Sequence, residues 1–151
     1  MAKITYHFLF ILFVISILTG CAPHAKTKDV LTLEKQINGI NISRIKEGVI
    51  AVNKTTEWDY MLLTEPYIQM SAITKNIKLS SEDIKKIWNM TYTYESDGFI
   101  FLIKDNLVID SALTRAFSVK NSGGVIFLDK KDTKIRYQVT DNISYKIVIS
   151  K

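Results

Sequence analysis

The chain is poor in the residues that most often carry chemistry. Among its 151 residues there is one cysteine, and there are two histidines, two prolines and six glycines. A single cysteine cannot close an internal disulfide or build a multi-cysteine zinc site, so it is either a free thiol or a covalently modified one. So few prolines and glycines exclude collagen-like and proline-rich classes. Neither charge sign dominates: 20 Lys and Arg stand against 15 Asp and Glu, for a formal charge of +5. The basic residues come singly or in pairs, such as Lys85-Lys86 and Lys130-Lys131, without the long run or arginine enrichment of a phosphate-backbone binder. Nucleic acid is therefore not an expected partner. No repeat of ~20–50 residues is present, which argues against a solenoid or propeller.

What is present begins at the N-terminus. Lys3 supplies a short positive segment, Phe8 to Leu18 (FLFILFVISIL) is an apolar run, and small residues follow. That run is too short to span the roughly 30 Å hydrocarbon core comfortably, and the three-part pattern is that of a secretory signal. Directly after it stands Leu18-Thr19-Gly20-Cys21, which contains the only cysteine of the chain. The tetrad resembles the lipobox of bacterial lipoproteins. The resemblance implies diacylglycerol on the Cys21 thiol, cleavage in front of it, and attachment to a membrane. Ala22, where an Asp is associated with inner-membrane retention, favours the outer membrane of a Gram-negative host. The resemblance covers residues 1–21 alone and implies no activity for the remainder.

Three segments are thus expected: a lipoprotein signal peptide (1–20), an acylated cysteine with a flexible tether (21–28), and one domain (29–151). Removal of residues 1–20 takes away Lys3 and no acid, lowering the formal charge from +5 to +4. The tether reading rests on Ala22 to Lys28 (APHAKTK), which is polar, contains Pro23 and holds nothing apolar larger than alanine.

Within the domain, Asp29 to Asn38 fits a helix with Asp29 as N-cap and Val30, Leu33 and Ile37 on one stripe, although a strand fits nearly as well. Lys46 to Val52 and Trp58 to Leu63 read as a strand pair around a polar turn. Pro66 suits the first turn of a short helix carrying Ile68, Met70, Ala72 and Ile73. Ser80 followed by Glu82 and Asp83 marks a second start, with Ile84, Ile87 and Trp88 at helical spacing. From Thr91 onward the period is two. Strands are expected at 98–104, 107–110, 125–128, 135–139 and 143–149, with Asp105-Asn106 as a two-residue turn. Residues 111–120 fit either a helical turn or a strand, and Gly123-Gly124 reads as a turn needing positive φ. The expected class is α+β, an antiparallel β-meander with one or two short helices packed on one face.

Candidate chemistry is sparse. His24 lies in the tether and lacks the fixed neighbours that a catalytic base or metal ligand needs. Glycoside hydrolysis needs only two carboxylates, but most acids fall in turns or at a helix start; Asp110, ending an apolar strand, is the exception. No catalytic residue, metal site or cofactor is expected. Tyr92 and Tyr94, read as sharing one strand face, are the candidate binding residues, since tyrosine combines contact area with a hydroxyl. A half-covered aromatic face packed under the helices is the alternative for them, and Trp58 and Trp88 read as core or near-core anchors. The leading expectation is a membrane-anchored, non-enzymatic accessory lipoprotein with a protein partner in an envelope assembly such as a pilus or secretion system. The alternatives are a surface-exposed lipoprotein that binds or excludes an external protein or glycan and, less favoured, a carboxylate-based cell-wall hydrolase.

Overall fold

A computed structural model describes residues 25–43, 46–120, 123–140 and 147–151. Among these residues helix α1 (Lys28–Asn38) comes first, followed by β1 (Glu47–Ala51), β2 (Tyr60–Thr64), α2 (Met70–Thr74) and α3 (Ser81–Thr93). The remainder is strand: β3 (Asp97–Lys104), β4 (Leu107–Arg115), β5 (Ser118–Val119), β6 (Val125–Leu128), β7 (Lys134–Val139) and β8 (Ile147–Ser150). The class is α+β. Among the described residues the strands form two sheets, one in the order β1-β7-β8-β5 and the other β4-β3-β2-β6. All pairings are antiparallel except β5 with β8.

The second sheet is the centre of the fold because it is covered on both faces. Phe99, Phe101 and Ile103 point to one side, where Ile68, Ile73, Ile77 and Ile87 of the α2–α3 region meet them. Ile100 and Leu102 point to the other, toward Val30, Leu33 and Ile37 of α1 and toward Ile135, Ile147 and Ile149 of the first sheet. A strand buried on both faces loses the polar half of its alternation, which explains the unbroken apolar run of β3. The expected helices on one face are α2 and α3; α1 lies against the opposite one.

Several local expectations hold for the stated reasons. Ser80 caps α3, its hydroxyl accepting the Asp83 amide at 3.0 Å. Asp105 and Asn106 have φ of 51° and 64°, which is the mirror-image turn that suits the twist of a two-residue hairpin between β3 and β4. Gly123 and Gly124 have φ of 99° and 67°.

Others change. Thr27, not Asp29, caps α1, its side chain accepting from the Val30 amide, so Thr27 and Lys28 belong to the folded part. Asp29 turns inward instead and is buried. The segments 46–52 and 58–63 are both strands, but they lie in different sheets, β1 against β7 and β2 between β3 and β6. What separates them is the Asp29 carboxylate, which holds the intervening loop through Thr55 and Thr56. Likewise β6 and β7, joined by a short turn, do not pair. Pro66 lies in a turn with Tyr67, and the helix starts only at Met70 because Tyr67 adopts φ 57°. The ambiguous stretch 111–120 is strand through Arg115 and again at 118–119. Among the described residues the last strand runs from Ile147; residues 143–146 of the expected strand lie outside them, as do Cys21 and His24.

The largest correction concerns Thr91 to Tyr94. The alternation Thr-Tyr-Thr-Tyr is not a strand but the last turn of α3, with Tyr94 as its C-cap. Thr91 is the reason: it falls on the buried stripe Asp83, Ile87, Thr91 at intervals of four, and its hydroxyl donates to the Trp88 carbonyl at 3.1 Å.

Candidate aromatic contact surface

With Ile87 and Thr91 turned into the core, Trp88 and Tyr92 face solvent on the neighbouring stripe of α3. Their rings stack with centroids 4.6 Å apart and planes inclined by 26°. Tyr67 meets Tyr92 edge to face, at 5.3 Å and 87°. The left-handed φ of Tyr67 is uncommon for an aromatic residue and costs roughly 1–2 kcal/mol. Its amide donates to the Thr91 carbonyl at 3.1 Å, fixing this turn to the end of α3.

Three rings thus form one preordered cluster, each of them still 41–45% exposed. Tyr94, 45% exposed, stands at the same helix end. Such a surface is partly ordered before any partner arrives, and it offers apolar and aromatic area. Beside it on α3 lie Lys85 and Lys86, neither of which makes an ion pair among the described residues. A shallow cleft of ≈ 700 Å³ flanks the helix on the side of the β3–β4 hairpin, lined in part by Lys85, Asn89, Met90 and Leu107.

Of the two residues taken from the sequence, Tyr92 is central to this cluster and Tyr94 lies at its margin. They share a helix end, not a strand face. Trp88, expected as a core anchor, is instead 45% exposed, whereas Trp58 is buried as expected. Tyr67 carries no signal of its own in the sequence; only the left-handed turn after Pro66 brings it to Tyr92.

Several of the carboxylates are committed to the scaffold. Asp110 lies in the edge strand β4, where it accepts the Thr27 amide at 2.5 Å and its own neighbour Ser111 at 2.7 Å. Glu57 pairs with Lys104 at 2.8 Å, and Asp59 accepts the Asp105 amide at 2.8 Å. Asp132 accepts the Asp129 amide and pairs with Lys151 at 2.6 Å. Glu65 takes the Ser118 hydroxyl and the Val119 amide, bringing β5 to the end of β2.

Asp29 is the most buried acid described, and its surroundings are those of a structural anion. Burial pushes its carboxyl upward, but the Thr55 hydroxyl and amide, the Thr56 amide and the Trp58 indole together hold it below the usual carboxylate range. The four donors lie at 2.6, 2.8, 2.8 and 3.2 Å. Among the described residues no group of three or more His, Cys, Asp or Glu is arranged to hold a metal ion, and no helix is long and apolar enough to cross a membrane. No protein-family model, curated protein or solved structure matches the chain.

Proposed function

We propose that the mature protein is a non-enzymatic accessory lipoprotein, attached through acyl chains on Cys21 to the outer membrane of a Gram-negative envelope. There it docks to or stabilises a larger protein assembly of the pilus or secretion type. The anchor is supported by the Leu18-Thr19-Gly20-Cys21 tetrad after an apolar run; two or three acyl chains make attachment stable where one is marginal. The docking role is carried by one observation, the preordered exposed cluster of Tyr67, Trp88 and Tyr92.

That cluster favours a protein over a glycan. Sugars pack on open ring faces, whereas Trp88 and Tyr92 each cover one face of the other. Contacts of this type are where protein interfaces concentrate their binding energy.

Crosslinking in intact membranes followed by purification of the wild-type protein and a Trp88→Ala/Tyr92→Ala variant tests the proposal. Recovery of envelope-assembly subunits with the wild type, at least tenfold reduced with the variant at equal protein level, is the expected outcome. Equal recovery with both would remove the docking surface. A wild-type protein found soluble with a free Cys21 thiol would remove the anchor.

A further inference from the structure

Among the described residues the two sheets end in four edge strands, β1 and β5 in the first, β4 and β6 in the second. Three of these carry side-chain partners for backbone groups that no strand pairs. On β4 the amides of Ser111 and Arg115 donate to the Asp110 carboxylate and to the Asn38 side-chain oxygen, at 2.7 and 2.6 Å. On β6 the Phe127 carbonyl accepts from the Lys151 ammonium at 3.2 Å, and on β5 the Val119 amide donates to Glu65. Blunting of this kind keeps a sheet edge from pairing with another chain.

Strand β1 is the exception. At its two ends the Lys46 carbonyl accepts from the Val139 amide, and the Val52 amide donates to the Thr133 carbonyl. In the register that sets Gly48 opposite Tyr137 and Ile50 opposite Ile135, it is therefore the even-numbered residues that bond to β7. The N–H and C=O of Glu47, Val49 and Ala51 point away from the sheet, and none has a partner among the described residues. Open clefts flank the strand, one bordered by Gln36 and Ile40, the other by Gly48 and Arg136. Val49 is 59% exposed, more than any other large hydrophobic residue described.

We propose that this edge pairs with β1 of a second copy of the chain, antiparallel about a twofold axis at Val49, joining the two first sheets into one. Outward groups meet only when odd-numbered residues face odd-numbered ones, and centring the alignment on Val49 pairs the whole strand: Glu47 with Ala51, Gly48 with Ile50, and Val49 with its own copy. Charge selects the same alignment. Glu47 lies beside Ala51 of the second copy, whose short side chain leaves the way open to Lys134, the residue opposite Ala51 on β7. Two strand spacings, roughly 10 Å, separate Glu47 from that lysine, and the two side chains together span them. Neither Glu47 nor Lys134 has an ion pair among the described residues of its own chain, and the dimer supplies one to each. A strand of another protein would meet the same backbone groups, whereas the second copy also brings a base to each Glu47. The paired edge is far smaller than the roughly 1,200–2,000 Å² of a stable interface, so the dimer forms at high protein concentration. This pairing is independent of both the anchor and the aromatic docking surface.

Sedimentation equilibrium of the full-length protein in density-matched detergent, from ~10 µM to ~1 mM, tests it. The wild type should pass from monomer to dimer. Val49→Pro removes an outward N–H and leaves every bond to β7 in place, so it should weaken dimerisation about tenfold or more at an unchanged melting temperature. Glu47→Lys should weaken it several-fold, and Glu47→Lys/Lys134→Glu should restore it to near the wild-type value. Should Val49→Pro fail to fold, the charge pair decides alone. A wild type that stays monomeric throughout, a dimer that persists in folded Val49→Pro, or a dimer indifferent to both charge variants would each overturn the proposal.

Discussion

The Trp58 indole donates through Nε1 to the Asp29 carboxylate at 3.2 Å, joining the first turn of α1 to the segment that enters β2. The same carboxylate takes the Thr55 and Thr56 amides and the Thr55 hydroxyl. One buried anion thereby holds the loop by which the chain leaves the first sheet for the second.

Asp29→Ala should consequently destabilise the protein by about 3 kcal/mol, since it strands several buried donors at once. Urea unfolding followed by Trp58 fluorescence measures the loss, and a change below about 1 kcal/mol would mean that water replaces the carboxylate without difficulty. Asp29→Asn should cost less, because one acceptor oxygen survives.

Acid should act through the same group. The folded-state pKa of Asp29 lies below its unfolded value, so the stabilisation is fully present above the unfolded pKa, near 4, and is lost as pH falls through the folded value. For Asp132 burial also pushes upward and is outweighed by the bond from Lys151 and the Asp129 amide, which adds in the same direction. The urea midpoint should be flat from pH 7 to about 5 and fall below about 4. In Asp29→Asn that fall should be shallower.

Close packing sets another expectation. A methyl group on Gly98 would intrude on the Phe117 ring and sit 2.8 Å from the Thr114 hydroxyl, all within the buried core. Gly98→Ala should lower stability by about 1–3 kcal/mol through forced displacement of Phe117, read as a fall in melting temperature.

Asn106→Gly should do the opposite. Both turn residues have positive φ, and glycine meets no steric penalty there, so a gain of about 0.5 kcal/mol is expected. A loss on thermal melting would show that the asparagine side chain stabilises the turn beyond its backbone preference.

Core and surface aromatics should separate cleanly. Phe101 and Ile147 are fully buried, and truncating either to alanine should cost about 2–5 kcal/mol. Trp88→Ala and Tyr92→Ala should cost about 1 kcal/mol or less each, by loss of ring stacking. Melting curves of the four variants decide this; a core-sized loss at Trp88 would make the cluster a structural element.

The contrast between Ser80 and Thr91 shows what was legible in the sequence. A hydroxyl followed by two acids has a local cause, so the start of α3 could be read from four residues. The end of α3 could not, because four alternating residues satisfy a strand pattern while Thr91 answers to a buried stripe begun eight residues earlier. The exposure of Trp88 was hidden for a related reason: hydrophobicity places it on the apolar face, yet Ile87 takes the core position and leaves the indole one step around the helix. The strands themselves were visible as apolar runs, but their distribution between two sheets depends on Asp29, whose partners lie 26 to 29 residues away. The aromatic cluster likewise needs Tyr67, which no spacing rule connects to Tyr92.

The first sheet also imposes an order on assembly. Its central strands, β7 and β8, are the last two among the described residues, and there β1 pairs only with β7, Glu47 opposite Gln138. The β2–β3–β4 portion of the second sheet, by contrast, joins strands that follow one another along the chain. A polypeptide emerging from N- to C-terminus can zip that portion together early, while β1 waits with an unpaired edge until the final residues arrive. Nascent chains stopped before Lys134 would therefore carry a bare β1 strand, and this is the stage at which the protein is most open to strand exchange and aggregation.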